Sequence, residues 1–131
     1  MRISSLLLSV AVVVACAQAP QEATAQEGPK VIQIVAIDTG GDLPKFLEFS
    51  KRVQTIADKA GSTGQRRIWQ STLAGPETGS VVVAIEYPSL VSMAQSTGKM
   101  AATPEWRQLV ADVQAAGMRV VSNSIAVEIT P

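Results

Sequence analysis

A chain of 131 residues with 11 Lys plus Arg against 11 Asp plus Glu, 47% apolar side chains and no histidine has the length of one ordinary domain. Its neutral balance argues against nucleic acid as a partner, because phosphate binding rests on clustered cations. Without imidazole there is no Ser–His triad, no His-ligated haem and no usual general base, so no metal and no cofactor is expected.

The first segment reads as an export signal. Arg2 is followed by the apolar stretch ISSLLLSVAVVVACA, the length of a signal-peptide core and short of the roughly 20 residues a spanning helix needs. Two processing sites overlap. Val13-Val14-Ala15-Cys16 resembles a bacterial lipoprotein box, which would make Cys16 a lipidation site and the membrane a partner through that anchor. Ala23-Thr24-Ala25 has the small-x-small form that ordinary signal peptidase needs. The signal therefore spans residues 1–25, or ends before Cys16. Residues 26–29 are a flexible tether within a Pro, Ala and Gln-rich stretch without apolar period. Cys16 is the only cysteine, so a domain beginning after it has no disulfide and no thiolate nucleophile. The expected location is periplasmic or secreted, or lipid-anchored in the envelope.

The domain is expected over 30–131. KVIQIVAID, from Lys30, is β-branched and apolar at both parities, as a strand buried on both faces would be. Asp42 is placed to cap a helix with Pro44 in its first turn, running to about Ala60 and stopped by Gly61. Phe46, Phe49, Val53, Ile56, Ala57 and Ala60 form its apolar stripe, and Glu48 with Arg52 an outward pair. GQRRIWQSTLAG and GSVVVAIEY read as strands joined by the AGPETG loop. A second helical region follows Pro88-Ser89, is interrupted near Gly98 and restarts at Thr103-Pro104-Glu105. Its stripe is Trp106, Leu109, Val110, Val113 and Ala116, with Gly117 as its stop. Trp106 is expected to close the end of the core. RVVSNSIAVEI alternates as a fourth strand.

That order, βαββαβ, predicts an α+β, ferredoxin-like fold: a four-stranded antiparallel sheet with two helices on one face. The sheet's other face then needs cover, and a second copy of the chain supplies it most simply, giving a homodimer through the sheet face. IEYPSLVSMAQ, running from strand into helix, followed by TPEWRQLVADV, resembles the dimeric α/β-barrel superfamily, nearest its antibiotic-biosynthesis-monooxygenase-like and NIPSNAP-like branches. The resemblance implies a dimeric α/β barrel but no particular activity, since the superfamily includes cofactor-free monooxygenases, lactone isomerases and proteins of no assigned activity. Its haem-binding branches use histidine, which this chain lacks.

Strand alternation suggests a map of the two faces. Ile32, Ile34 and Ala36 are expected beneath the helices, with Val31, Gln33, Val35 and Ile37 opposite. On the third strand Val81, Val83, Ile85 and Tyr87 would face the helices and Val82, Ala84 and Glu86 the barrel. On the fourth, Val121, Ile125, Val127 and Ile129 would face the helices and Ser122, Ser124 and Glu128 the barrel. Glu86, if part-buried, would have a raised pKa and serve as a base; the more ordinary reading is a wet strand-end carboxylate, or one paired with Arg66 or Arg67. Tyr87 is a candidate proton donor whose parity favours the helix-side core. Gln33 and Trp69 are candidate ligand contacts, with Ser122 and Ser124 lining the same barrel side. The more ordinary reading of Gln33 is a hydrogen-bonded interface amide, and Trp69 reads equally as a packing residue.

Two functions follow. One is an exported homodimer that binds a small apolar or aromatic molecule or serves a structural role. The other is a cofactor-independent monooxygenase or isomerase acting on a small aromatic or lactone substrate, with Glu86 or Tyr87 moving the proton.

Overall fold

The computed structural model describes residues 28–72 and 75–129. The segment expected to be an export signal, the two expected processing sites and Cys16 lie outside them. Strand β1 (Val31–Asp38) leads to helix α1 (Leu43–Lys59), then β2 (Gln65–Gln70), a 3-10 turn (Gly75–Glu77), β3 (Val81–Tyr87), α2 (Leu90–Ala101), α3 (Pro104–Ala115) and β4 (Arg119–Val127). The strands form one antiparallel sheet in the order β2-β3-β1-β4. This is the split βαβ arrangement of a ferredoxin-like α+β fold, whose two crossovers carry the helices to the same side.

The caps set where each helix begins. Asp42 accepts from the Lys45 N–H at 3.0 Å and Thr103 from the Trp106 N–H at 3.3 Å, each satisfying an otherwise unpaired donor of the first turn. Pro44 and Pro104 occupy first-turn positions, where a missing N–H costs nothing. Gly117 ends α3 with φ +76°. There the Gly117 N–H donates to Gln114 O and the Met118 N–H to Val113 O, a Schellman stop that turns Met118 into the core. The second helical region is unbroken at Gly98: α2 runs through it to Ala101, and the break falls at Ala102-Thr103, where the Thr cap and Pro impose a new start.

Partners across an antiparallel ladder share a face, so the register sorts every strand residue. One face carries the rows Tyr87–Val31–Val127, Arg66–Ile85–Gln33–Ile125, Ile68–Val83–Val35–Asn123 and Gln70–Val81–Ile37–Val120. This is the helix side, for Val81, Val83, Val35, Ile37 and Ile85 belong to the core built with Phe46, Phe49, Ile56, Met100, Leu109 and Met118. The outer face carries Gln65–Glu86–Ile32–Ala126, Arg67–Ala84–Ile34–Ser124 and Trp69–Val82–Ala36–Ser122.

The expected faces of β1 are therefore reversed. Ile32, Ile34 and Ala36 lie on the outer face, and Val31, Gln33, Val35 and Ile37 lie beneath the helices. With both parities apolar, alternation alone carries no sign, and the pairing with β3 decides it. β4 departs more locally: its register slips between Ala36 and Ile37, leaving Val121 as the extra residue of a bulge and bringing Val120 rather than Val121 to the helix side. The outward pair on α1 is also different. Glu48 takes Lys45 at 2.9 Å, and Arg52 reaches across to Asp112 of α3 at 2.7 Å, tying the two helices together. In the α3 stripe Leu109 is buried, Trp106 and Val113 pack against the core, and Val110 and Ala116 are exposed.

Candidate functional site

The helices do not fill the space over the centre of the sheet. Between them lies a cavity of about 410 Å3, within the ~300–1,000 Å3 range of small-molecule sites. Its floor is the sheet rows containing Ile85, Gln33, Val83 and Val35, and its walls are Phe46, Phe49 and Val53 of α1, Thr97 and Met100 of α2, and Trp106 and Val113 of α3. Because Thr103 caps α3, Trp106 sits in the first helical turn, where its half-buried indole both packs on the core and borders the cavity.

The wall is apolar apart from a few groups that converge from different elements. Arg66, on β2, donates from Nη2 to the Ser50 carbonyl at 2.7 Å and to Gln54 Oε1 at 3.2 Å, so α1 holds its guanidinium in place. Gln33 donates from Nε2 to Asn123 Oδ1 at 3.1 Å. Tyr87 is 3% exposed and its ring lies against Gly64, where a Cβ would come within 2.7 Å of Tyr87 Cε1 and 2.8 Å of Ile85 Cγ2. Gly64 is thus a close-approach glycine that makes room for the phenol.

Burial sets the ionisation of these groups. Loss of solvation pushes the Tyr87 phenol above its ordinary value, with the Arg66 cation pulling weakly the other way. Burial also draws Arg66 down, opposed by Asp58 and Tyr87. With an ordinary phenol pKa near ~10, a raised value leaves Tyr87 protonated at neutral pH, a hydrogen-bond donor rather than a base.

The proposed site residues divide between the two faces. Gln33 and Tyr87 line the cavity. Glu86, Ser122 and Ser124 lie on the outer face, as their parity suggested, and so does Trp69, whose face the alternation of β2 left open. There Glu86 pairs with Lys30 at 3.1 Å, in place of Arg66 or Arg67, with the carboxylate side chain 42% exposed. Trp69 and Glu86 are four residues apart along the β2–β3 ladder, about 13 Å at a strand's rise, so they do not converge. Arg66 is the cavity residue that sequence reasoning considered only as a partner for Glu86; a cation at the parity of Ile68 was the available signal. Among the described residues no cluster of His, Cys, Asp or Glu could hold a metal, and no helix is long and apolar enough to cross a membrane.

No family model matches the chain, and no curated protein matches it in sequence. Solved structures do share its fold. A NIPSNAP-like domain protein from Burkholderia xenovorans superposes with a TM-score of 0.57 at 14% identity, over 79% of this chain and 86% of that one. SnoaB, a cofactor-independent oxygenase from Streptomyces nogalater, gives 0.53 at 9% identity over 79% and 95%. A dimeric ferredoxin-like protein from an uncultured marine organism gives 0.54 at 14% over 79% and 99%. At such identities the likeness is one of fold.

Proposed function

We propose that this chain is an exported protein that binds a small apolar or aromatic molecule in the cavity between its sheet and its helices, and that it works as a homodimer whose protomers cover each other's outer sheet faces. The observation that carries the binding reading is the cavity itself: a space of about 410 Å3 with apolar walls, into which Arg66, Gln33 and Tyr87 converge from three strands. A few placed polar groups on an apolar wall are what orients a small ligand. A buried aromatic occupant would also meet the Trp106 indole, at the offset or edge-on geometries aromatic pairs prefer.

The two tryptophans make this testable, because Trp106 lines the cavity and Trp69 lies on the outer face. In a Trp69→Phe chain, Trp106 is the sole indole. Titration with a bicyclic aromatic such as 1-naphthol should change its emission saturably, at one site per chain. A strictly linear, non-saturating response up to the solubility limit of the probe would dismiss the ligand-binding reading.

The dimer draws support from the outer face, where Ile32 and Ile34 are each 37% exposed and Trp69 is 50% exposed. The description of one fold neighbour as dimeric points the same way. Export rests on the leader sequence. Metabolic labelling with palmitate, compared between the natural chain and Cys16→Ala, tests the anchored form, with label on the first alone as the expected result; label on neither would leave secretion after Ala25 as the route.

A second reading, a cofactor-independent oxygenase or isomerase, is favoured by the same convergence of Tyr87, Arg66 and Gln33, since a protonated phenol beside a cation can stabilise an oxyanion as it forms. For the oxygenase, the 1-naphthol titration, run in an oxygen electrode, should consume dioxygen, and the Tyr87→Phe chain should not.

A further inference from the structure

The cavity has one charged wall residue among those described. Every other lining group is apolar or neutral, and the charge is that of Arg66. The four ion pairs of the described residues use Lys30, Lys45, Arg52 and Arg119, so no carboxylate lies within 4.0 Å of the Arg66 guanidinium. Asp58 attracts it from a distance but is itself engaged by Gln54 Nε2 at 2.7 Å. The guanidinium is anchored through Nη2 alone, to Ser50 O and Gln54 Oε1. Its Nε and Nη1 donors have no protein partner among the described residues.

A half-buried cation with no carboxylate in contact is costly to keep, and with Nη2 taken by Ser50 and Gln54, Nη1 and Nε each keep a donor for a single charge-assisted hydrogen bond to a carboxylate. The surrounding wall adds no negative charge that would repel an anion. Tyr87, which stays protonated, and Gln33 lie in the same or the next row of the sheet and supply further donors.

Resting on the cavity as the ligand site, we propose that its ligand is a monoanionic carboxylate with an apolar, aromatic-sized body, whose charged group pairs with Arg66 while the body lies among Phe46, Phe49, Val53 and Trp106. The charge on the ligand completes an ion pair for which the protein supplies only one half.

Calorimetric titration of the full chain with two probes of the same shape, 1-naphthoate and 1-naphthamide, tests this. The carboxylate should bind about tenfold or more tightly than the amide, the size of a charge-assisted contact. In Arg66→Gln the two affinities should become equal by loss of the carboxylate's advantage, with the amide unchanged, and Arg66→Lys should restore part of the difference. Equal binding of both probes to the natural chain would overturn the anionic ligand while leaving the cavity as a site for neutral molecules. Binding of neither would overturn both. Should Arg66→Gln fail to fold for want of its tie to Ser50, the comparison of probes on the natural chain decides alone.

Discussion

Glu86 and Tyr87 adjoin in the chain, yet the pleat of β3 sends one to an exposed ion pair with Lys30 and the other into the cavity wall. A single site within one protomer cannot use both. Tyr87 keeps its position through Gly64, and an added methyl at that position must displace either the phenol or Ile85. Gly64→Ala should therefore destabilise the fold by about 1–3 kcal/mol, as overpacking does. Gly98→Ala, which enters open space on α2, should stabilise by up to about 1 kcal/mol. Urea unfolding of the two variants measures both, and a Gly64→Ala midpoint equal to the natural chain's would mean that the phenol is not held as described. Titration of Tyr87 gives a second check. Its folded pKa is raised by burial, so its contribution to stability is complete below the unfolded value near ~10 and is lost as pH rises through the folded one. Stability should fall in that alkaline window, and less steeply in Tyr87→Phe.

Among the elements, α3 depends most on its own signals. Its start is the Thr103 hydroxyl on the Trp106 N–H, its stop is Gly117, and its lateral hold is Asp112 on Arg52. Thr103→Ala should cost about 1 kcal/mol and also loosen the turn that positions Trp106, so its indole emission should shift toward that of a wetter environment. Thr103→Ser should restore both, and an unchanged spectrum in the Ala variant would show that packing alone seats the ring. The Asp112 carboxyl is held below its usual range by the hydrogen bond from Arg52 and then by that from Gln108. The contribution of this surface clamp is present above the ordinary carboxylate range and fades as pH drops through the lowered value. Helix starts and stops of this kind are legible in the amino-acid sequence, because a cap is a local contract between a side chain and a backbone group three residues away. The Arg52–Asp112 clamp is not. Its partners are sixty residues apart in sequence, and nothing in the spacing of Glu48 and Arg52 announces that a different helix will compete for the cation.

At the scale of the molecule, the helices pack against the central strands β1 and β3 and leave the edge strands more open, β4 above all. Val120 is 61% exposed, Ile125 51% and Val127 49%, all on the helix side of an edge strand. Together with Ile32, Ile34 and Trp69 on the outer face, they give one protomer more exposed apolar surface than a soluble monomer usually presents. If a second copy covers the outer face, a charge at its centre must be desolvated on assembly. Ile34→Lys, set between Ala84 and Ser124 in the ladder, should shift the chain from dimer to monomer in sedimentation equilibrium, whereas Lys51→Glu on the exposed side of α1 should not. A natural chain that sediments as a monomer at micromolar concentration would remove the dimer.

By itself the sequence determined the order of elements, the caps, the apolar stripe of α1 and, through that order, a ferredoxin-like sheet with its helices on one side, because each of these is written in contacts a few residues long or in topology that chirality leaves little choice about. Tertiary structure decided which side of β1 faces the helices. Val31 to Ile37 are apolar at nearly every position, so only pairing with β3, whose Glu86 must reach water while Val81, Val83 and Tyr87 are buried, could set Gln33 toward the cavity and Ile34 away from it. From that one register the cavity acquired Gln33 beside Arg66 and Tyr87, and the outer face acquired its exposed isoleucines.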